Sequence, residues 1–362
     1  MGVFTFFKNK KNNATSENDN NKLGTEEDFA WNRSENGIGL KSSLTEYAAL
    51  KNGLAVERLS KGIILVISES GIQHSFINMN GDRSSRVGMY LCDRKHDARH
   101  ILKQQGLSVI ESDIFGLKDL EKAKEYVDHI GFPIVVKPIN LSRARGITTN
   151  IQTFEGFEKA WGKAFDAYRK NRSSNKILIE RHFTGEDYRF YVVGDRLISA
   201  THRKRPNVTG DGTSTVLELI KSKNVERAEN PYLSKNLIPE DISELDALTD
   251  NNIELDYIPD DGQLITLRKQ SNIWAGGDNI DVTDTAHQDF KELAIKTIQS
   301  IPGIEYGGMD FIAPDVTVKP NDSNYIVSEV EFSPAPLAHF PYIGKRRDMA
   351  GAVIDHYFGN DQ

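Results

Sequence analysis

Short apolar runs alternate with helical-period stretches along most of this chain, and their order predicts its elements. Residues 43–50 carry an amphipathic helical pattern with Ser43 as the candidate N-cap. Residues 62–68 and 72–78 are β-forming runs joined through Glu69-Ser70-Gly71, which predicts a hairpin closed by residues 79–82. From residue 93 the two periods mix. Helices are predicted over 97–105, ending at Gly106, and over 117–130, ending at Gly131, with strands over 107–111 and 132–138. A helix over 153–168 precedes strands at 176–180, 187–193 and 196–201, and residues 222–250 pattern as helices with polar linkers. A strand over 264–268, a glycine-containing loop and a helix over 286–300 lead to two acidic strands, 306–312 and 325–332. No internal repeat is evident. The mixture predicts an α+β fold of several lobes and not a doubly wound sheet. Residues 8–42 are rich in Asn, Lys, Ser, Asp and Glu with few apolar anchors, so a flexible N-terminal tail is expected there.

Composition narrows the class. A chain of 362 residues accommodates two or three domains. With 27% charged and 38% apolar residues it reads as a soluble globular protein, and a net charge of −7 argues against a nucleic-acid partner. The single cysteine, Cys92, excludes an intrachain disulfide and a multi-cysteine metal site, and suits a reducing compartment. No apolar run approaches the ~20 residues of a membrane span. The first residues are too short for a signal-peptide core, and Phe6 breaks the myristoylation pattern. No membrane association and a cytoplasmic location are the expectations.

Several segments carry candidate chemistry. Asp310 lies in one acidic strand; Glu329-Val330-Glu331 ends the other. Acids on one face of neighbouring strands suit a divalent cation shared between carboxylates and phosphate oxygens, although a plain polar face gives the same pattern. Lys137 ends an apolar strand and must aim its ammonium at a charge. The loop after it holds Ser142, Arg143, Arg145 and Gly146, small and forked cationic residues suited to covering phosphates, or simply a basic surface loop. It matches neither a Walker A loop nor a dinucleotide fingerprint. Residues 177–190 form a strand that bends at Thr184-Gly185, where backbone groups can pair with a base edge; an ordinary strand connection reads the same way. Arg268 ends a strand before Gly276-Gly277, placed to meet the charge of a transferring phosphoryl group or a surface acid.

Taken in order from about Tyr47 to Phe358, these segments resemble the ATP-grasp carboxylate–amine ligases. Within that family the segments resemble cyanophycin synthetase and the ATP-grasp module of bifunctional glutathione synthetase. The resemblance is carried by residues 132–138, Arg145-Gly146-Ile147-Thr148, residues 185–194 and Asn207-Val208-Thr209-Gly210-Asp211-Gly212. It continues through Leu267-Arg268, Ser271-Asn272, Gly276-Gly277-Asp278, Asp281-Val282-Thr283-Asp284 and residues 329–335. It implies an ATP-grasp fold: a tail over 1–42, a small N-terminal α/β domain over 43–92, a first lobe over 93–182 with the phosphate loop, and a second over 183–362 with the Mg²⁺ and substrate site. By position, Arg99 stands where the family usually has a phosphate-binding lysine. Lys137 would contact the α- and β-phosphates, and residues 142–146, Arg143 and Arg145 included, would cover the γ-phosphate. Glu180, Arg181, His182 and Phe183 would form the adenine hinge, with Asp187 on the ribose. Arg189 and Arg268 would face substrate and γ-phosphate. Asp310, Glu329 and Glu331 would hold Mg²⁺, two ions in the family pattern, with Mn²⁺ able to substitute.

The implied activity is ATP-dependent joining of a carboxylate, on an amino acid or small peptide, to an amine through an acyl phosphate. Catalysis would rest on Lys137, Arg145, Arg189 and Arg268, with no protein nucleophile. A free-standing enzyme is expected, as a homo-oligomer of two or four copies like its relatives. Three departures from the pattern stand out. Glu331 replaces a common Asn, Asn272-Ile273-Trp274-Ala275 lacks the usual Ser-Thr, and the arginine frequent after Pro334 in cyanophycin synthetase is missing. The first two motivate an alternative, a non-catalytic nucleotide-binding regulatory or scaffold protein; a kinase that only phosphorylates its substrate is a further rival.

Overall fold

The computed structural model describes residues 23–139, 146–171 and 176–359. Two helices open the described chain, α1 (Glu26–Glu35) and α2 (Leu40–Lys51), followed by β1 (Ala55–Arg58), β2 (Ile63–Ile67), β3 (Gln73–Ile77) and β4 (Asn80–Gly81). The strands form an antiparallel sheet in the order β1-β2-β3-β4. The expected hairpin is present. The expected tail is shorter than its composition suggests, because α1 and the start of α2 lie within residues 26–42. Polar residues hold α1 in place of an apolar stripe: Thr25 caps it, Arg33 pairs with Glu46 of α2 at 2.5 Å, Glu26 with His339 at 3.0 Å, and Arg346 with Glu27 at 2.5 Å. Ser43 is not the cap of α2. Gly39 precedes the helix, and the buried Ser43 hydroxyl donates to the Gly39 carbonyl. The rest of the expected tail, residues 1–22, lies outside the described residues.

The next stretch holds α3 (Arg86–Asp93), α4 (Lys95–Gln104), β5 (Ser112–Gly116), α5 (Leu120–Ile130), β6 (Ile134–Pro138), β7 (Thr148–Ile151), α6 (Phe154–Asn171) and β8 (Lys176–Arg181). Its sheet runs β5-β8-β6-β7, all antiparallel. Val127 and Ile130 from α5 and Phe157 and Ala160 from α6 close over Ile134, Val136, Ile177 and Ile179. The strand expected at 107–111 does not form in this sheet. That segment reaches across the molecule instead: Val327 donates its N–H to the Ser108 carbonyl at 2.8 Å, and Val109 bridges Val327.

The remaining elements are β9 (Glu186–Val193), β10 (Arg196–Lys204), β11 (Asn207–Thr209), α7 (Val216–Ala228), α8 (Asp246–Asp250), β12 (Leu264–Thr266), β13 (Asp278–Asp281), α9 (Gln288–Ser300), β14 (Tyr306–Ala313), β15 (Ile326–Glu331) and α10 (Met349–Phe358). The central antiparallel sheet has the order β13-β10-β9-β14-β15. One face is apolar: Phe190, Val192, Met309 and Phe311 pack against Phe290, Ala294 and Ile298 of α9. The other changes character along each strand, as period-two alternation allows. At one end Tyr191, Val193 and Tyr306 pack into a core shared with α2 and α10. At the other it carries Asp187, Arg189 and Asp310. No helix among the described residues is long and apolar enough to cross a membrane.

β11, β12 and α7 enclose a satellite core around Val208, Val216, Ile220 and Ile265. A capping box of Thr215 and Glu218 starts α7. The fully buried Arg227 of α7 donates to Asp278 at 3.0 Å and to the Asn236 and Gly277 carbonyls, while Lys223 reaches Asp278 at 2.7 Å. Asp278→Ala strands both cations in a buried setting. A loss of about 3–5 kcal/mol is expected in urea denaturation; a change under ~1 kcal/mol would remove Asp278 as the counter-ion that keeps α7 on the central sheet.

Candidate active site

The polar end of the central sheet is built by register. Asp310 on β14 lies opposite Arg189 on β9 and opposite Glu329 on β15; Arg203 on β10 lies opposite Asp187. The Arg189 guanidinium forks onto Asp310, donating at 2.7 and 3.0 Å, and its remaining nitrogen meets Glu331 at 2.5 Å. Arg203 donates to the second Asp310 oxygen at 2.7 Å and stands 3.6 Å from Asp187. Burial pushes the Asp310 carboxyl up, but Arg189 and Arg203 outweigh it and hold the group at about 2. Glu331 moves the other way. Its burial, with Asp310 and Glu329 nearby, raises it despite Arg189. Burial likewise raises Asp187, against Arg203 and a hydrogen bond from the Ser271 hydroxyl. Gly308 makes room for this layer: a Cβ there would fall 2.9 Å from Pro334.

A second cluster belongs to the sheet of β5–β8. The buried Glu180 on β8 accepts from Lys137 on β6 and from Arg99 on α4, each at 2.5 Å. Burial depresses the Lys137 ammonium, opposed by Glu180. Helix α4 joins the clusters. Arg99 also donates to the Ser328 carbonyl at 2.9 Å, and Lys95, one turn earlier, pairs with Glu329 at 2.8 Å.

A profile of the carbamoyl-phosphate synthase L chain, ATP binding domain, matches residues 93–267. The chain is 30% identical over 319 residues to cyanophycin synthetase of Nostoc sp. PCC 7120, covering 87% of this chain and 34% of that protein. It is also 30% identical over 324 residues to the glutathione biosynthesis bifunctional protein GshAB of Pasteurella multocida, covering 86% and 42%. A crystal structure of a bifunctional glutathione synthetase from P. multocida aligns over 89% of this chain and 44% of that one, at 28% identity and a TM-score of 0.70. The chain belongs to the ATP-grasp family. It spans under half the length of these relatives.

Set against the ATP-grasp pattern, the predicted residues fall into three groups. Lys137, Arg99 and Glu180 converge, as do Asp187, Arg189, Asp310 and Glu331, with Glu329 on the flanking strand. Glu180, however, spends its carboxylate on two cations, and in the rest of the proposed adenine hinge the Arg181 N–H donates to the Glu111 carbonyl at 2.9 Å. Arg181 is exposed, with Glu111 4.0 Å away. The N–H of His182 donates to the Pro133 carbonyl at 2.8 Å, and that of Phe183 meets no described partner. Burial lowers the His182 imidazole. Arg268 follows β12 and makes no ion pair among the described residues, so it is not part of the carboxylate network. Ser142, Arg143 and Arg145 lie outside the described residues; Gly146 is the first residue described after them, at φ +74°.

Three participants escape sequence reasoning. Arg203 sits beyond residue 201, where the predicted strand stops, although extending the alternation past Thr201 would have placed it on the Asp187 face. Lys95 precedes the predicted start of its helix, yet stands four residues before Arg99 and therefore on the same face. Lys41 of α2 reaches the end of β15, donating to the carbonyl and hydroxyl of Ser333 at 2.6 and 3.0 Å.

For ATP-grasp chemistry the donor set of Asp310, Glu329 and Glu331 fits Mg²⁺, which takes oxygen ligands and keeps several waters. Each carboxylate carries about four acceptor positions, so the bonds from Arg189, Arg203 and Lys95 leave some free. Among the described residues, the set whose ligand atoms all lie within 4.8 Å is a different one, Glu26, His339 and Asp348. It is structural. Glu26 bonds His339 Nδ1 at 3.0 Å, the Ala350 N–H donates to Nε2, and Asp348 caps α10. Cys92 is buried and its thiol is pushed up to about 12, chiefly by that burial, which keeps it protonated and unreactive.

Glu180 also gives the site a pH signature. Its burial raises the carboxyl, Lys137 and Arg99 pull it down further, and it settles at about 2 against an ordinary 4.5. A depressed carboxyl contributes stability that is complete above the unfolded value and lost as pH falls through the folded one. Glu180→Gln should therefore be less stable than wild type at pH 7, with the difference shrinking from pH 4.5 towards 2 in denaturant titrations. A difference constant with pH would count against Glu180 as their shared anion.

Proposed function

We propose that the chain catalyses ATP-dependent amide or peptide bond formation between a small carboxylate, an amino acid or short peptide, and an amine. The observation that carries this reading is the meeting of a cationic cluster, Lys137 and Arg99, with a carboxylate cluster, Asp310, Glu329 and Glu331, across helix α4. One side suits phosphate oxygens and the other a divalent cation.

In this reading a substrate carboxylate oxygen attacks the γ-phosphorus of ATP, the bond to the bridging oxygen breaks, and ADP leaves with the electron pair. The amine then attacks the acyl carbon, phosphate departs, and the amine nitrogen gives up a proton. The metal, when bound by Asp310, Glu329 and Glu331, supplies charge neutralisation to the phosphates; we expect two Mg²⁺, with Mn²⁺ able to replace them. Lys137, Arg99 and the loop of Ser142, Arg143, Arg145 and Gly146 bind and orient the phosphates. Residues 181–183 receive the adenine and Asp187 the ribose. Arg189 has a different part: forked on Asp310 and bonded to Glu331, it sets the spacing of two metal carboxylates and offsets the extra negative charge that Glu331 brings. Arg268 is free to meet the γ-phosphate or the acyl phosphate. Positioning and electrostatics suffice, with no nucleophile from the protein. A cytoplasmic dimer or tetramer without nucleic-acid or membrane partners completes the proposal.

The test is ADP release across a panel of acids and amines, with mass spectrometry of the products. Condensed product that needs both substrates is expected. Stable phosphorylated acid without amine would indicate a kinase, and nucleotide binding with no turnover a scaffold. Glu329→Gln should lower turnover by about 100-fold or more while circular dichroism stays unchanged, since its pair with Lys95 is half-exposed. Full activity in that variant would remove Glu329 from the metal site.

A further inference from the structure

Beside Arg189 and Arg203 the sheet face opens into a cavity of about 210 Å³ that also touches Ser271 and Leu337. Next to it lies a second of about 300 Å³, walled by Trp31, Leu40, Pro231 and Pro336. Tyr232, Trp274 and Ala335 line both, so the two adjoin. The first compartment is cationic; the second has an aromatic and aliphatic wall, with Lys41 and Lys235 also on its border.

Three buried polar atoms of residues lining this space have no partner among the described residues: the acceptor Oδ1 of Asn236 in the second cavity, and two donors beside the first, the Tyr232 hydroxyl and Nε of Arg203. Tyr232 is 6% exposed. Burial pushes its hydroxyl up to about 12, even with Arg189 and Arg203 acting on it, so it stays protonated and able to donate. Buried donors without acceptors are uncommon in native proteins and call for an explanation. Here an anionic acceptor beside two guanidinium groups supplies one.

The apolar side is equally specific. Trp274 is held by a short 3₁₀ turn: Asn272 accepts from its N–H at 3.0 Å, and Gly276 closes the turn at φ +97°, where a Cβ would fall 2.8 Å from Ile238. Its ring meets Tyr232 edge-on at 6.4 Å, yet the residue is 67% exposed. A solvent-facing indole on a hydrogen-bonded turn beside a cavity suits apolar recognition. This is the segment where Trp274-Ala275 replaces the small hydroxyl residues of the family pattern.

We propose that this two-part space receives an amino-acid or peptide substrate with a bulky apolar side chain, its carboxylate on Tyr232 Oη and Arg203 Nε and its side chain between Trp31 and Trp274. The proposal rests on the ligase reading for what happens to that substrate, but not for its binding. It also gives α1 and α2 a task, because Trp31 and Leu40 bring them into the wall.

Calorimetric titration of the full chain tests it directly, using glycyl-phenylalanine, glycyl-alanine and glycyl-phenylalanine amide. Glycyl-phenylalanine should bind at least about tenfold tighter than either of the others. Trp31→Ala should erase the preference for phenylalanine over alanine and keep that for carboxylate over amide. Tyr232→Phe should do the reverse, a separation that general loosening of the fold does not produce. Equal binding of the three peptides, or identical effects of the two variants, would overturn the proposal. Selective binding without ADP release for any pair would sink the ligase reading and leave this site standing. ADP release indifferent to apolar side chains would do the opposite.

Discussion

Buried charge has to be matched, and that requirement organises this molecule. Asp310 is 5% exposed at the centre of a five-stranded sheet and is tolerable there only because Arg189 and Arg203 take up both its oxygens. A carboxylate removed from water without partners costs several kcal/mol or takes up a proton. The pairing propagates outward: Arg189 needs Glu331, and Arg203 faces Asp187, which Ser271 also holds. On the other sheet the same logic binds Glu180 to Lys137 and Arg99. The candidate site is therefore an alternation of signs. Phosphates and metal ions would enter it as further members of the same series.

A single strand explains why this layer sits beside a hydrophobic core without disturbing it. β9 directs Tyr191 and Val193 into the core shared with α2 and α10, and Asp187 and Arg189 onto the same face further along. The alternate residues, Phe190 and Val192, lie under α9. The chemistry thus stands on a strand whose position is set by apolar packing on both faces, a rigid mount for groups that must be placed to within fractions of an ångström. Helix α10 covers the apolar part of that face, and α2 packs on α10.

Much of this was legible in the residues. Every strand of the two large sheets with a dense apolar run was predicted, and the acids at 310, 329 and 331 declared themselves by their place in such runs. What was hidden follows from physics that periodicity does not record. Helix α1 buries only Ala30 fully and is held by ion pairs to distant residues, so its own composition resembles a loop. Residues 107–110 leave their neighbours to bridge β15, a long-range choice that no local pattern encodes. β13 has the sequence Asp278-Asn279-Ile280-Asp281, unremarkable as a strand until Arg227 and Arg347 neutralise its ends. Arg203 and Lys95 were missed by a few residues at element boundaries. Lys41, Tyr232 and the setting of Trp274 depend on how separate units meet.

Helix α4 has a mechanical consequence. Its Arg99 holds a carboxylate of one sheet and a backbone carbonyl of the other at once, and Lys95, one turn away, adds a bond to Glu329 of β15. The segment before β5 adds a third tie, the Ser108 bond to Val327. All three fall along the same edge, β15. Any displacement of the β5–β8 sheet relative to β15 must preserve these ties or break charge-assisted bonds. Arg99, through Glu180 and Ser328, is the residue the two sheets hold in common.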